Sequence, residues 1–191
     1  KSTLSKFGID AEVENTVCKS CSEYRNKVVL FYEKGKLGYV RSASNKVVPH
    51  ERCPLNEKII DDIANFTLNE IDTTYLRALF IRKASGENGG IMACPIFKKP
   101  TDVKHYARRL RNEFPRVESV MSGVCAGRDF IIESCKFKHV LGEEGIIDEL
   151  CGLEFFISPK SFYQVNHDCA ESLYEKVLSL LDVDECKNVA D

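Results

Sequence analysis

The chain has 191 residues, and its 27 Lys and Arg side chains against 29 Asp and Glu side chains give a formal net charge of -2. This balance excludes a wholly basic nucleic-acid-binding protein, and no apolar run approaches the roughly 20 residues that a membrane span needs. With 43% hydrophobic and 29% charged residues, the composition is that of a folded globular protein. Nine scattered cysteines, an odd number, favour a reduced cytoplasmic protein, which we expect to be a monomer.

Strand and helix signals alternate along the chain. Runs of β-branched and aromatic residues bounded by turn residues predict strands over 28–32, 37–41, 46–48, 75–81, 91–97, 117–121, 129–140 and 153–157. Apolar residues at helical spacing predict helices over 54–68, 101–114 and 167–181. In the last helix a stripe of four residues is expected to face the core: Cys169, Leu173, Val177 and Leu180. The pattern predicts an α+β fold, in which antiparallel hairpins form a sheet with packed helices.

Seven of the nine cysteines fall into three groups. Cys18 and Cys21 have the CxxC spacing of a zinc or redox site, but no second pair with matching spacing follows. Four others lie on or beside strand-like runs and are expected to be core residues: Cys94, Cys125, Cys135 and Cys151. Cys53 precedes a helix whose first N–H groups would stabilise a thiolate or a sulfide cluster, so it is a candidate ligand.

Charge is unevenly distributed. Residues 97–139 carry ten basic and five acidic side chains, whereas residues 140–191 carry three and twelve. The basic segment includes four side chains on the polar side of the helix predicted over 101–114: Lys104, Arg108, Arg109 and Arg111. Two interpretations stay open, a solvated helix face or a patch that faces the phosphates of a nucleic acid.

The densest group of candidate binding residues follows the last predicted strand. Between Ser158 and a helix beginning near His167, an irregular loop presents Phe162, Tyr163 and Gln164. Aromatic rings stack on flipped-out bases, and an amide can bind base edges or a cofactor. The alternative is that both rings fill the core and that Asn166 only caps the helix.

The segment FISPKSFYQVN, from Phe156 to Asn166, resembles the FxISPxSFxQVN signature of RumA-type 23S rRNA (uracil-5-)-methyltransferases. Two upstream stretches match in order: YRNKV over 24–28 is similar to the family's entry to its first central strand, and residues 38–54 are similar to its segment from a G(F/Y) pair to a CP pair. The resemblance spans nearly the whole chain.

The resemblance implies an enzyme that transfers a methyl group from S-adenosylmethionine to C5 of a uridine in 23S rRNA. In such enzymes a cysteine thiolate adds to C6 and a general base later removes the C5 proton. Both groups are expected downstream of Asp191, in a Rossmann-like methyltransferase domain, so no catalytic residue is assigned here. The expected division is an N-terminal helical or linker segment (1–23), a central α+β RNA-binding domain (24–158), and a pocket loop with a linker helix (159–191).

The resemblance also implies roles for individual residues. Gln164 matches a glutamine that contacts S-adenosylmethionine, and Phe162 matches an aromatic residue that lines the same pocket. Cys53 matches the fourth ligand of a 4Fe-4S cluster, whose other cysteines are expected upstream of Lys1, so we expect the cluster in a longer protein and not in this chain. The basic residues of the helix over 101–114 become candidate phosphate contacts.

Three other readings stay open beside this one. The chain could be a non-catalytic RNA-binding module that presents the aromatic loop and the basic helix. It could instead be a zinc or iron-sulfur redox protein built around Cys18, Cys21 and Cys53. It could also be a tRNA-specific relative, but the ISPxSFxQVN wording and a cysteine at position 53 fit an rRNA-specific enzyme better. The sequence does not indicate which uridine would be methylated.

Overall fold

The computed structural model describes residues 2–10, 16–44, 46–126, 130 and 132–181. Within these ranges the strands are β1 (Lys27–Glu33), β2 (Lys36–Val40), β3 (Val47–Pro49), β4 (Leu76–Lys83), β5 (Ile91–Phe97), β6 (Val117–Val124), β7 (Lys136–Gly142), β8 (Ile146–Leu150) and β9 (Leu153–Ile157). The helices are α1 (Ser2–Lys6), α2 (Lys58–Glu70), α3 (Lys104–Glu113) and α4 (His167–Leu180). None of the helices in the described ranges has both the length and the apolar character required to cross a membrane.

Seven strands form one sheet in the order β3-β2-β1-β4-β5-β6-β7, and β8 pairs with β9 in a separate hairpin. All neighbours in the large sheet are antiparallel except β5 and β6, which run parallel. A parallel pair requires a crossover connection, and α3 supplies it. The fold is α+β as expected, but the sequence analysis predicted neither the parallel pair nor strand β8.

The two faces of the sheet carry different layers. On β4, Leu79 and Ile81 point to the face that α2 and α3 cover, where they share a core with Ile63 and Leu110. Phe80 lies between them in sequence and points to the opposite face, because side chains alternate along a strand. There it belongs to a second core that includes residues of the β8–β9 hairpin.

The strand expected over 129–140 begins only at Lys136, so the prediction was wrong for its first part. A short 3₁₀ helix, Ile132–Ser134, precedes it, and residues 127–129 and 131 lie outside the described residues. Ile132 is buried in the second core, and Phe130 packs edge-on against Phe31 at 4.9 Å between ring centroids. Phe130 and Ile132 thus pack on the second core, and this burial explains why apolar residues occur here without strand pairing.

Helix α4 differs most from expectation, because its apolar stripe does not face the core. Leu173 is 57% exposed, Val177 43% and Leu180 72%, and Ala170 is the residue of this helix that is buried. The described part of α4 leaves this stripe without a covering layer. The cysteine prediction was right for Cys94, Cys125 and Cys135, which are buried; it was wrong for Cys151, which lies exposed in the turn between β8 and β9.

Candidate functional site

The loop between β9 and α4, residues 158–166, has a folded backbone of its own. The Ser161 N–H donates to the Ser158 carbonyl at 3.1 Å, and the Ser158 N–H donates to the Ser161 hydroxyl at 3.0 Å. The two hydroxyl oxygens are also 3.0 Å apart. These bonds close a turn around Pro159 and Lys160, which explains why two serines flank the proline in the sequence.

Two buried residues, one beside and one within the large sheet, hold the loop in place. Asn26, which immediately precedes β1, donates from its amide to the Gln164 carbonyl at 2.9 Å and from its backbone N–H to the Val165 carbonyl at 3.0 Å. Arg82 on β4 donates from Nη1 to the Ser161 carbonyl at 2.9 Å. Asn26 is 5% exposed and Arg82 is 1% exposed, so both act from inside the protein.

The β8–β9 hairpin is attached beside this loop through Asp148. One carboxylate oxygen, Oδ1, accepts from the Ser85 N–H at 2.8 Å and from the Glu149 N–H at 3.0 Å. Ser85 lies two residues after the end of β4, so the strand end that carries Arg82 also fixes the hairpin. The loop and the hairpin therefore share one support.

The structure gives the two neighbouring aromatic residues of the loop opposite environments. Phe162 is 83% exposed. Tyr163 packs against the second core and lies 6.3 Å from Phe155 between ring centroids. Burial, followed by the nearby Asp148 carboxylate, raises the pKa of Tyr163 above its ordinary value. Tyr163 is therefore a core residue, whereas Phe162 is free to contact a ligand.

Asn166 caps α4, as one of the two sequence interpretations expected. Its side-chain oxygen accepts from the Cys169 N–H at 3.1 Å. Gln164 is different, because its backbone carbonyl is bound by Asn26 while no hydrogen bond to its side-chain amide is found among the described residues. The loop thus fixes the backbone of Gln164 and leaves its amide available.

An apolar groove adjoins the loop, with a volume of about 430 Å³. It lies between the β8–β9 hairpin and α4 and is lined by Leu150, Cys151, Leu153, Phe155, Phe162, Tyr163, Gln164, Tyr174, Val177 and Leu178. Most of its walls are aliphatic or aromatic, and Gln164 brings an amide to its edge. Such a combination of apolar walls with few polar groups is typical of ligand sites.

The basic residues of α3 do not lie near the loop. Tyr106 and Leu110 of this helix belong to the core on one sheet face, whereas Tyr163 packs on the other face. Lys104, Arg108 and Arg109 are exposed on the outer side of α3, Arg111 is half-buried, and Arg109 forms an ion pair with Glu70 on α2. The sheet therefore separates these four cations from Phe162 and Gln164.

The described residues give no support to an iron-sulfur cluster at Cys53. The Cys53 N–H donates to the Asp61 carboxylate at 2.8 Å, and the Cys18 and Cys21 sulfurs lie 3.7 Å from each other. A 4Fe-4S cluster needs four ligands, usually thiolates, but no group of three or more candidate metal ligands comes together in the described parts of the chain. The cluster and the metal role of Cys53 therefore have no support here.

Sequence reasoning missed the residues that hold the loop. Asn26 lies in the YRNK stretch, and its hydrogen bonds to the Gln164 and Val165 carbonyls join this stretch to the FISPKSFYQVN segment. Arg82 is a cation within the otherwise apolar strand LRALFIRK, and this is the signal that could have identified it.

Comparisons with known proteins indicate a family. No family model matches the chain. An uncharacterized RNA methyltransferase of Streptococcus mutans is 30% identical over 99% of the chain, which spans 46% of that relative. Uncharacterized RNA methyltransferases of Streptococcus agalactiae and Oceanobacillus iheyensis are 28% and 27% identical over 88% and 89% of the chain, which spans 41% of each. The chain thus spans less than half the length of these curated relatives.

A solved structure has the same fold. The crystal structure of Pyrococcus abyssi tRNA (uracil-54, C5)-methyltransferase in complex with S-adenosyl-L-homocysteine matches 86% of the chain with a TM-score of 0.71 and 21% identity. The chain spans 43% of that protein. These matches confirm the resemblance to RNA methyltransferases that the sequence motifs indicated.

Proposed function

We propose that this chain, as a member of the RNA uracil-5 methyltransferase family, is the RNA-binding part of an enzyme that methylates C5 of a uridine in 23S rRNA. In this proposal residues 24–158 bind the RNA, and the loop and helix that follow form one wall of the nucleotide pocket. The supporting observation is the fixed loop, which presents the 83% exposed ring of Phe162 and the free amide of Gln164 beside an apolar groove.

The exposed aromatic ring suits a base that has left its stack. Base stacking on an aromatic side chain contributes about 1–3 kcal/mol for each base, and flipping a single-stranded uridine costs less than opening a duplex. Phe162 offers a ring face at the surface, while its neighbour Tyr163 anchors the loop in the core. The pair can therefore hold a base without loss of the loop's own structure.

S-adenosylmethionine would supply the methyl group when bound. One observation supports binding of this cofactor. The Gln164 side-chain amide lies at the edge of the groove and makes no hydrogen bond to the described residues, so it can donate to the cofactor. The Gln164 side chain would orient the cofactor by hydrogen bonding. The hydrogen bond from Asn26 to the Gln164 backbone carbonyl would hold the backbone from which that side chain extends. No described cysteine is assigned as the nucleophile.

The basic residues of α3 take a secondary role in this proposal. Since the sheet separates them from the loop, Lys104, Arg108 and Arg111 would contact phosphates of a distant part of a large RNA, and Arg109 would do so after leaving Glu70. A ribosomal RNA is large enough to contact both faces. We place the protein in the cytoplasm as a monomer.

A methyl-transfer assay tests the proposal. Labelled S-adenosylmethionine and undermodified 23S rRNA are incubated with this chain, with the complete open reading frame that contains it, and with Gln164→Ala in that frame. We expect label at uridine C5 from the longer protein alone, and a loss of label in Gln164→Ala with an unchanged melting temperature. Asn69→Ala, which removes an exposed amide on α2, is the matched control and should retain activity.

The alternative is a non-catalytic RNA-binding module. It would be favoured if neither protein labelled the RNA while the chain still bound it. Full activity of Gln164→Ala would contradict the role given to that amide.

A further inference from the structure

Two cations face each other across neighbouring strands beneath the loop. Lys27 on β1 is the direct antiparallel partner of Arg82 on β4. Directly opposite residues of an antiparallel pair point to the same face, so both side chains lie on the face of the second core. Both also approach one aromatic ring: Lys27 Nζ is 5.8 Å and Arg82 Cζ is 5.7 Å from the centre of Phe80.

In the part of the chain that the structure describes, neither cation has an acidic partner close enough for an ion pair. Among the described residues no carboxylate oxygen lies within 4.0 Å of the Lys27 ammonium or the Arg82 guanidinium. Arg82 uses Nη1 for the Ser161 carbonyl, but within the described ranges its buried Nε and Nη2 have no hydrogen-bond partner. The exposed Glu133 carboxylate is the acidic group whose field reaches Lys27, and the buried Asp148 carboxylate acts on Arg82 from beyond ion-pair distance.

This arrangement costs stability. Like charges directly opposite in a sheet are destabilising, and a half-buried ammonium loses part of its hydration. Burial, followed by the charge of Arg82, lowers the pKa of Lys27 below its ordinary value. Charges that a fold holds against its own stability are candidates for ligand binding.

The position of the pair is defined by the contacts of the loop. Lys27 directly follows Asn26, which binds the Gln164 carbonyl, and Arg82 binds the Ser161 carbonyl. The cations therefore lie beneath the stretch that presents Phe162. Lys160, in the turn of the same loop, adds an exposed positive charge.

We propose that Lys27, with the buried charge of Arg82 behind it, binds a phosphodiester group of single-stranded RNA next to the base that stacks on Phe162. This inference rests on the proposed function. It places a phosphate contact on the sheet face that carries the loop, opposite the face that α3 covers. The half-buried Lys27 makes the direct contact, because the free nitrogens of Arg82 are not accessible to solvent. The Arg82 guanidinium adds to the positive electrostatic potential at Lys27. Because Arg82 is buried, its charge is screened less than it would be in water.

The salt dependence of RNA binding tests this site. The affinity of the chain for a fluorescein-labelled single-stranded oligoribonucleotide that contains a uridine is measured by anisotropy over a range of salt concentrations. Each phosphate contact on a single strand contributes about 0.7 to the slope of log affinity against log salt. We expect Lys27→Gln and Lys27→Met to reduce the magnitude of the slope by about 0.7, whereas Lys27→Arg retains the slope.

Lys58→Gln is the matched control, because Lys58 is an exposed lysine on α2, on the other side of the sheet. Its slope should equal that of the unmodified chain. Thermal unfolding gives a second readout: removal of a half-buried charge that lies opposite Arg82 should raise the melting temperature of Lys27→Gln while RNA binding weakens. A residue with a purely structural role would not combine these two effects.

Three results would overturn the assignment. An unchanged slope in Lys27→Gln, with RNA binding intact, contradicts the phosphate site and leaves the proposed function standing. An unchanged slope together with a raised KM for S-adenosylmethionine in the complete enzyme assigns the cation to the cofactor's carboxylate instead. Failure of the unmodified chain to bind RNA at any salt concentration contradicts both this site and the RNA-binding part of the proposed function.

Discussion

The side-chain amide of Asn26 donates a 2.9 Å hydrogen bond to the backbone carbonyl of Gln164, which lies 138 positions later in the chain. This bond joins the YRNK stretch to the SFYQVN stretch, the two motifs that carry the sequence resemblance. Because Asn26 is buried and precedes the first strand of the sheet, it transfers the rigidity of the sheet to the loop. The contact therefore places the two motifs side by side in the fold.

The first prediction concerns that contact. Asn26→Ala should lower the free energy of unfolding by about 1–3 kcal/mol, because it leaves the Gln164 carbonyl without its donor. Asn65→Ala, which removes the 3.3 Å bond of an exposed amide to the Glu51 carbonyl, should change it by less than about 0.5 kcal/mol. Urea unfolding of the original chain and the two variants measures both changes in the free energy of unfolding. Equal effects of the two substitutions would contradict the role of Asn26.

The second prediction separates the adjacent aromatic residues of the loop. Phe162→Ala should leave the free energy of unfolding within about 0.5 kcal/mol of the original, since the ring is 83% exposed. Tyr163→Ala should lower it by about 2–4 kcal/mol, since that ring packs on the second core. Thermal or urea unfolding decides. A large loss in Phe162→Ala would mean that the ring fills the core.

The sequence predicted the elements that depend on local pattern. Strands such as β1 and β5 have β-branched, aromatic or apolar runs. A helix-capping role for Asn166 was one of the two interpretations of the loop, and the structure shows it. The sequence did not predict the face on which α3 packs, because an amphipathic helix shows which side is apolar and not which face of a sheet it covers. The distance between Lys104 and Phe162 in space was therefore beyond sequence reasoning.

Exposure was the other property that the sequence could not give. The apolar stripe of α4 has the spacing of a core helix, yet Leu173 and Leu180 are exposed because the described structure has no layer against them. Cys151 has the composition of a strand edge but lies in a turn with a φ of 52°. The helix itself was predicted correctly and only its packing was not, whereas for Cys151 both the strand position and the burial were wrong.

The third prediction concerns alkaline pH. Burial raises the pKa of the Cys94 thiol above its ordinary value of 9.0, so the folded chain keeps a proton that the unfolded chain loses. The free energy of unfolding should therefore fall as the pH rises above about 9, by up to about 1.4 kcal/mol per pH unit for this thiol. Cys94→Ala should show a smaller alkaline slope in urea unfolding.

Met92→Ala is the control for that experiment. Met92 lies in the same core and does not titrate, so its substitution should lower stability at every pH without a change in the alkaline slope. Cys135, whose pKa burial raises to about 12, contributes a further part of the slope in both variants. Identical slopes in Cys94→Ala and Met92→Ala would contradict the prediction.

The fourth prediction concerns the exposed groove. The chain should increase the fluorescence of the apolar dye ANS, which binds exposed hydrophobic surface. Leu153→Gln and Leu178→Gln, at positions 64% and 54% exposed in the groove, should reduce that fluorescence with little change in stability. Val48→Gln, at a 49% exposed position outside the groove, should leave the fluorescence unchanged. An equal decrease in all three would show that the dye does not bind in the groove.

The most direct test of the account is a map of 5-methyluridine in the cells that produce this protein. The gene is disrupted, and 23S rRNA and tRNA are purified, digested and analysed by mass spectrometry beside the parent strain. The account predicts that 5-methyluridine disappears from at least one site of 23S rRNA, stays in tRNA, and returns when the intact gene, but not the Gln164→Ala gene, is restored. An unchanged 23S rRNA would contradict the proposed function.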